Sequence, residues 1–181
     1  YNAASNRYGV AIGRQAMFGS SVTTTDVREY NVAIGNNTLY SITTGDYNHA
    51  IGYNALNALT SGSNNVAMGA SAGADVTTGD GNIFIGDEAG NNTTTANYNI
   101  AIGYEALHGN SSTAQTGAGN IGIGYKSLYA NTSGPNNTAI GYQSLRFVTT
   151  GYNNNAVGYH ALINTTTGGN NTAFGRNALG E

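Results

Sequence analysis

A repeat of about 17 residues runs through almost the whole chain and constrains its fold more than any other feature. Each copy centres on a glycine that follows an apolar residue, and seven of the nine steps between these anchor glycines have the same length. The two longer steps, from Gly13 to Gly35 and from Gly103 to Gly124, carry insertions within 20–30 and 108–119. The anchors are Gly13, Gly35, Gly52, Gly69, Gly86, Gly103, Gly124, Gly141, Gly158 and Gly175. Such self-similarity predicts stacked units in a single repeat domain spanning 1–181.

The residues around each anchor form columns of one residue type. A large apolar residue precedes the anchor in all ten copies, and alanine stands two before it in eight, with Phe84 and Gly122 as exceptions. Leucine stands four after it in seven copies, and Met17, Gly73 and Gly90 replace it in the others. The consensus is N-x-A-I-G-Y-x-A-L, followed by a polar stretch that ends in T-T-G. Uniform columns indicate that equivalent residues of successive copies lie next to one another.

The N-x-A-I-G segment is typical of a short β-strand, because it is rich in β-branched residues and bounded by turn-forming residues. In a strand, the Ile one before the anchor and the Ala two before it point to opposite faces. The anchor glycine is expected at a tight corner, where positive φ or a close backbone approach excludes a Cβ atom. The Y-x-A-L segment fits either a second strand or one helical turn.

The sequence favours parallel stacking of the strands over antiparallel hairpins. Two-residue hairpins prefer Asn-Gly or Asp-Gly, and the chain has no Asn-Gly and one Asp-Gly, at 80–81. In a parallel stack, the asparagine four before the anchor would form an amide ladder along the axis. This predicted structural ladder comprises Asn31, Asn48, Asn65, Asn82, Asn99, Asn120, Asn137, Asn154 and Asn171. We therefore predict an all-β fold, a parallel β-solenoid (β-roll) of about ten coils with one repeat in each coil.

Low apolar content predicts self-association. Leu, Ile, Val and Phe number 32 of 181 residues, so each coil contributes few large side chains to its own core. We expect several rods to pack together, most simply three around an axis. Either the Ala face or a face shared by the Ile and Leu columns would be the seam between chains.

Composition also excludes several classes of function. The chain has no cysteine, so neither a disulfide scaffold nor a thiolate zinc site is expected. Six basic residues are too few for a nucleic-acid surface, and no apolar stretch is long enough for membrane insertion. The three histidines, His49, His108 and His160, occupy different columns. We predict no catalytic residues, no metal site and no cofactors.

The motif resembles known repeats at three places. Residues 31–35 and 65–69 resemble the N-S-V-A-I-G-x-x-S head repeats of trimeric autotransporter adhesins, the YadA-like heads. Residues 137–145 are similar to the N-T-A-I-G-Y-x-[AS]-L repeats of phage tail-fibre proteins. The resemblance implies a left-handed β-roll that forms trimers and takes part in host attachment.

Tyrosine and threonine also recur in columns. Tyrosine directly follows five anchors, and this row could stack against sugars or a host surface, or cover coil corners and fill a groove between chains. The row consists of Tyr53, Tyr104, Tyr125, Tyr142 and Tyr159. A threonine row lies nine before the anchors, which raises ice binding as a less favoured hypothesis. Its members are Thr43, Thr60, Thr77, Thr94, Thr132, Thr149 and Thr166.

The predicted function is structural and adhesive, not enzymatic. The chain is expected to be a rod segment of a phage tail fibre or surface adhesin, located in a virion tail fibre or outside the cell at its surface. Its expected partners are copies of itself, as a homotrimer or fibre, and a cell-surface glycan or protein receptor. The alternative is a subunit that polymerises end to end into an extracellular filament.

Overall fold

The computed structural model describes residues 6–19, 28–109 and 113–180, and these contain twelve short strands and no helix. Parts of both insertions, at 20–27 and 110–112, lie outside the described residues. The strands are β1 (Asn6–Arg7), β2 (Val10–Ile12), β3 (Arg28–Glu29), β4 (Val32–Ile34), β5 (His49–Ile51), β6 (Val66–Met68), β7 (Ile83–Ile85), β8 (Ile100–Ile102), β9 (Ile121–Ile123), β10 (Thr138–Ile140), β11 (Asn155–Val157) and β12 (Thr172–Phe174).

Ten of these strands form one parallel sheet, in the order β12-β11-β10-β9-β8-β7-β6-β5-β4-β2. The register is that of the repeat, so Ala33 pairs with Ala50 and Ala50 pairs with Ala67. β1 and β3 form a separate parallel pair. The predicted all-β parallel solenoid is therefore confirmed, with one strand of the large sheet per coil. The handedness of the coil stays a prediction.

The interior holds the alanine and leucine columns together. Ala50 at the centre of β5 and Leu56 in the following turn are both fully buried. A further apolar column, represented by Ile42 and Leu59, closes the core on the side of the T-T-G corner. The Leu column therefore packs against the Ala column, and the prediction that Ile and Leu share one face is wrong. The prediction that the Ala face could be a seam between chains is also wrong, because that face is filled from within the chain.

The anchor glycines form corners for both of the predicted reasons. Gly124 has φ +127, and a Cβ atom built on it would lie 2.5 Å from the carbonyl oxygen of Gly141 in the next coil. Residues with L side chains rarely adopt that backbone conformation. The backbones of successive anchors therefore stack at a distance that leaves no room for a methyl group.

The Y-x-A-L segment is neither a strand nor a helical turn. It forms a chain of turns in which the second and fourth residues after the anchor have positive φ, as in Asn54 (55°) and Leu56 (48°). The backbone groups of these turns bond to the coils on either side: Asn54 N–H donates to Asn36 and Leu56 N–H donates to Ala72. The left-handed residues thus turn the leucine inward while the ladder between coils continues.

Candidate functional site

The predicted tyrosine row forms a stack of rings on the outside of the corner that follows the sheet. Four of its members contact one another in series, with ring centroids 5.6 Å apart for Tyr104 and Tyr125, 4.9 Å for Tyr125 and Tyr142, and 5.2 Å for Tyr142 and Tyr159. The interplanar angles are 8–12°. Tyr53 stands apart, since Asn36 and Ala70 occupy its position in the adjacent coils.

The stacking geometry decides which part of these rings a ligand can meet. Each inner ring of the series has both faces covered by its neighbours, so the edges and hydroxyl groups are the parts left towards solvent. All five tyrosines remain 37–56% exposed. A sugar could therefore hydrogen-bond along the row, whereas ring-face stacking is limited to Tyr53 and the Tyr104 end of the series, since Arg176 and His160 lie against the ring of Tyr159 at the other end. Ligand binding by the row stays a prediction.

The tyrosines five before the anchors form a second stack, near the start of the chain. The ring centroids of Tyr8 and Tyr30 are 5.2 Å apart and those of Tyr30 and Tyr47 are 5.0 Å apart. Tyr98 lies farther along the same column, over Gly81. This column also has positive φ, between 52° and 70°.

The asparagine column is the continuous polar feature of the interior. The backbone N–H of each asparagine from the second onward donates to the side-chain oxygen of the previous one, over 2.8–3.1 Å. In six coils the side-chain amide also donates to a carbonyl of the next coil, as Asn65 does to Gly79 over 2.8 Å. Eight of the nine asparagines are fully buried. Their chemistry is therefore directed at the coil itself.

The threonine row uses its hydroxyl groups in the same way. Thr43 donates to the carbonyl of Thr60 over 2.9 Å, and Thr60 donates to that of Thr77 over 3.0 Å. The side chains of Thr77, Thr132 and Thr149 make the equivalent bond. These hydroxyls contribute to the solenoid's hydrogen bonding. Ice binding stays a prediction, which a thermal hysteresis measurement would test.

Among the described residues, charged side chains form two ion pairs, both on the turn side of the coils. Lys126 Nζ lies 3.1 Å from a carboxylate oxygen of Glu105. Burial acts to raise the pKa of Glu105, but hydrogen bonds from Tyr104 and Lys126 prevail and lower it. The hydrogen bond to Glu105 raises the pKa of Lys126. The second pair joins His108 Nε2 and Glu88 over 3.2 Å. Among the described residues, no three His, Asp or Glu side chains are placed to bind a metal ion.

The outer face of the sheet is largely apolar and without a partner in the described part of the chain. The residue one before the anchor points outward, and Ile12, Ile51, Met68 and Ile140 are 37–58% exposed. The first residue of each strand lies on the same face, where Val10 is 45% exposed. A large apolar residue ends all ten strands of this sheet, and Val or Ile begins six of them, whereas the other four begin with His49, Thr138, Asn155 and Thr172. The sequence analysis named the Ile side as one of two possible seams between chains but wrongly placed the Leu column on it.

Comparison with protein-family models, with curated proteins and with solved structures gave no match. None of the three stretches of chain that the structure describes contains a helix long and apolar enough to cross a membrane.

Proposed function

We propose that this chain is a rigid, non-enzymatic rod segment of a phage tail fibre or surface adhesin. The observation that carries the proposal is the ten-stranded parallel sheet, in which every coil repeats the backbone ladder of the previous one. A rod of this kind resists bending because each coil is tied to two neighbours by backbone bonds and by the asparagine ladder. Its role is mechanical, and its exposed rows of side chains are the surfaces that contact other molecules.

The outer apolar face supports self-association of the rod. Nine strand spacings of about 4.8 Å make it about 43 Å long, and contiguous exposed apolar surface of this kind marks an interaction site. A second copy of the chain has the same coil spacing, so side-chain columns of two copies can pack in register along the whole rod. We propose a homotrimer in which the outer faces of the sheets, with the apolar column directly before the anchors, face a common axis.

The mass of the particle in solution tests the homotrimer. Multi-angle light scattering should give three times the chain mass of 18.5 kDa. The double variant Ile51→Lys, Met68→Lys should lose this assembly, because it buries two ammonium groups in the interface. The control is Thr44→Lys, Ser61→Lys, which adds the same charge to the same two coils at exposed positions away from the sheet. A stable folded monomer for the unaltered chain would overturn the proposal.

A second candidate function is a subunit that polymerises end to end into an extracellular filament. The open edge of the sheet at β12 favours it, since β11 is the one strand that pairs with β12 within the described residues. Unpaired strand edges can add another chain. Negative-stain images separate the candidates: short rods of one length support the fibre segment, and long filaments support polymerisation.

The proposed location is the virion tail fibre or the outside of a cell, and the proposed external partner is a glycan or protein receptor on a host surface. The tyrosine row is the surface we assign to that contact. Its members line one corner of five coils, and the ring centroids of consecutive members are 4.9–5.6 Å apart.

A further inference from the structure

Charge is unevenly distributed along the rod. Between residues 29 and 105 the chain has seven carboxylates and no Lys or Arg. Between 106 and 181 it has three basic side chains, Lys126, Arg146 and Arg176, and one acidic side chain, Glu181. Because the strands stack in sequence order, a separation of charge along the sequence is also a separation along the axis. The C-terminal part of the rod is therefore cationic.

Two of these cations lie against the tyrosine row. The guanidinium carbon of Arg176 is 5.6 Å from the ring centroid of Tyr159, which stacks on Tyr142, which in turn stacks on Tyr125. At the other end of this series, Lys126 Nζ lies 5.5 Å from the ring centroid of Tyr125. The cations and rings thus form one connected surface over four coils.

The third cation extends this surface sideways. Lys126 Nζ is 5.0 Å from the ring centroid of Tyr129, and the guanidinium carbon of Arg146 is 6.0 Å from the same centroid. Arg146 also lies over Phe147, at 4.9 Å. We call this connected set the cationic tyrosine surface. It consists of Tyr125, Lys126, Tyr129, Tyr142, Arg146, Phe147, Tyr159 and Arg176.

The two arginines of the cationic tyrosine surface keep their charge available. Within residues 6–19, 28–109 and 113–180, Lys126 pairs with Glu105, whereas neither Arg146 nor Arg176 has a carboxylate partner. The aromatic rings hold the guanidinium groups by cation–π contacts, which fix a cation without neutralising it. Two fixed, unneutralised guanidinium groups are preorganised for an anion, and their planar fork matches a carboxylate.

We propose that the cationic tyrosine surface binds a polysaccharide that carries carboxylate groups, a polyuronate. The arginines would bind carboxylates, and the tyrosine hydroxyls, repeated at each coil, would hydrogen-bond the hydroxyl groups of successive sugars. A polymer with regular repeats suits a row whose centroids recur every 4.9–5.6 Å. Three cations are too few for a nucleic acid, whose affinity depends on neutralising many phosphates. The inference rests on the proposed adhesive role and names the receptor class for it.

The test measures binding of the full chain to alginate, a polymer of uronic acids, by isothermal titration calorimetry. Dextran serves as the neutral polysaccharide and single-stranded poly(dT) as the nucleic acid. We expect binding to alginate, weakened by added salt, and no binding to dextran or poly(dT). The double variant Arg146→Gln, Arg176→Gln should weaken alginate binding about tenfold or more, because each substitution removes a charge-assisted hydrogen bond between a guanidinium group and a carboxylate of the polymer.

The matched control is Arg14→Gln, which removes one exposed arginine at the other end of the rod and should change alginate affinity less than about twofold. Circular dichroism and thermal melting establish that each variant folds. Absence of alginate binding, equal binding to dextran, preference for poly(dT), or equal effects of the two sets of variants would each overturn the inference. The proposed rod is tested separately by particle mass and images, so a trimeric rod that ignores alginate overturns the polyuronate site alone.

Discussion

Buried asparagine is the residue that ties one coil to the next. The side-chain oxygen of Asn154 accepts the backbone N–H of Asn171 over 3.1 Å, and its amide group donates to the carbonyl of Gly168 over 2.8 Å. Asn155 follows it in the chain but points to the outer face of β11 and is exposed. Two adjacent asparagines therefore differ in role, one buried in the ladder and one exposed, because successive side chains of an extended chain point to opposite faces.

We expect Asn154→Ala to destabilise the chain far more than Asn155→Ala. The first substitution removes a buried side chain and its hydrogen bonds to the N–H of Asn171 and the carbonyl of Gly168, at about 0.5–1.5 kcal/mol for each bond. The second changes an exposed position, where effects stay within about 0.5 kcal/mol. Urea unfolding of both variants measures the difference. Equal losses would show that the ladder does not contribute to stability.

The anchor glycines allow conformation and close approach to be measured separately. Gly124 and Gly175 have almost the same φ, +127 and +128. A Cβ atom at Gly124 would meet the backbone of Gly141, whereas at Gly175 it would meet nothing within 4 Å. Gly124→Ala should therefore lower the melting temperature much more than Gly175→Ala, which adds only the strain of alanine at this positive φ. If the two substitutions lower the melting temperature equally, positive φ alone is the reason for glycine at the anchors.

At the scale of the element, one phenylalanine replaces core side chains of two neighbouring coils. Phe84 stands at the centre of β7, where eight of the ten repeats have alanine, and it is fully buried. Gly73 and Gly90 stand in the leucine column of the adjoining turns, and a Cβ atom at either would clash with the Phe84 ring. The irregularities at these three positions of two columns are thus a single repacking of the core.

Restoring the consensus at all three positions tests this compensation. Phe84→Ala alone should cost about 3–5 kcal/mol, because the glycines leave its ring space unfilled. Adding Gly73→Leu and Gly90→Leu should recover most of that loss, since leucine adopts the same positive φ elsewhere in the column. The two leucine substitutions without Phe84→Ala should destabilise the chain by overpacking. Additive effects across this cycle, measured by urea unfolding, would contradict the repacking.

The asparagine ladder is modified in the coils on either side of β9. The buried side-chain amides of Asn99 and Asn120 have no partner among the described residues. The carbonyl groups that the repeat would offer them accept other donors: Gln115 donates to Gly117 over 2.7 Å and Asn131 donates to Gly134 over 2.9 Å. Polar residues in the inner column therefore compete with the ladder.

At the scale of the whole molecule, the rod has two unlike ends and an open apolar side. The backbone N–H of the first residue of each inner strand donates to the following coil, as Asn155 does to Asn171 over 2.8 Å. Thr172 holds the same position in β12 and has no such partner in the part of the chain described. Whether the backbone N–H of Thr172 is hydrogen-bonded in solution therefore reports whether another chain adds to this edge.

Hydrogen exchange should distinguish discrete rods from end-to-end filaments. For discrete rods, amide protons of β12 should exchange quickly and those of β6 to β9 slowly, since inner strands open only with larger parts of the structure. Mass spectrometry of peptides covering β7 and β12 measures both. Protection of β12 equal to that of β7 would instead support polymerisation.

The sequence by itself determined the repeat, the parallel register and the asparagine ladder. A constant period with uniform columns has one simple solution, in which equivalent residues stack, and the anchor glycine marks a corner on conformational grounds. Only the tertiary structure decided which face is inside. Both faces of the strand carry apolar residues, and alternation cannot say whether Ala or Ile is buried. The choice depends on the turn after the anchor, whose positive φ values direct leucine towards alanine and leave Val and Ile outside. Likewise, the pairing of Phe84 with two glycines and the joining of cations to tyrosines are contacts between coils, which spacing along one chain does not specify.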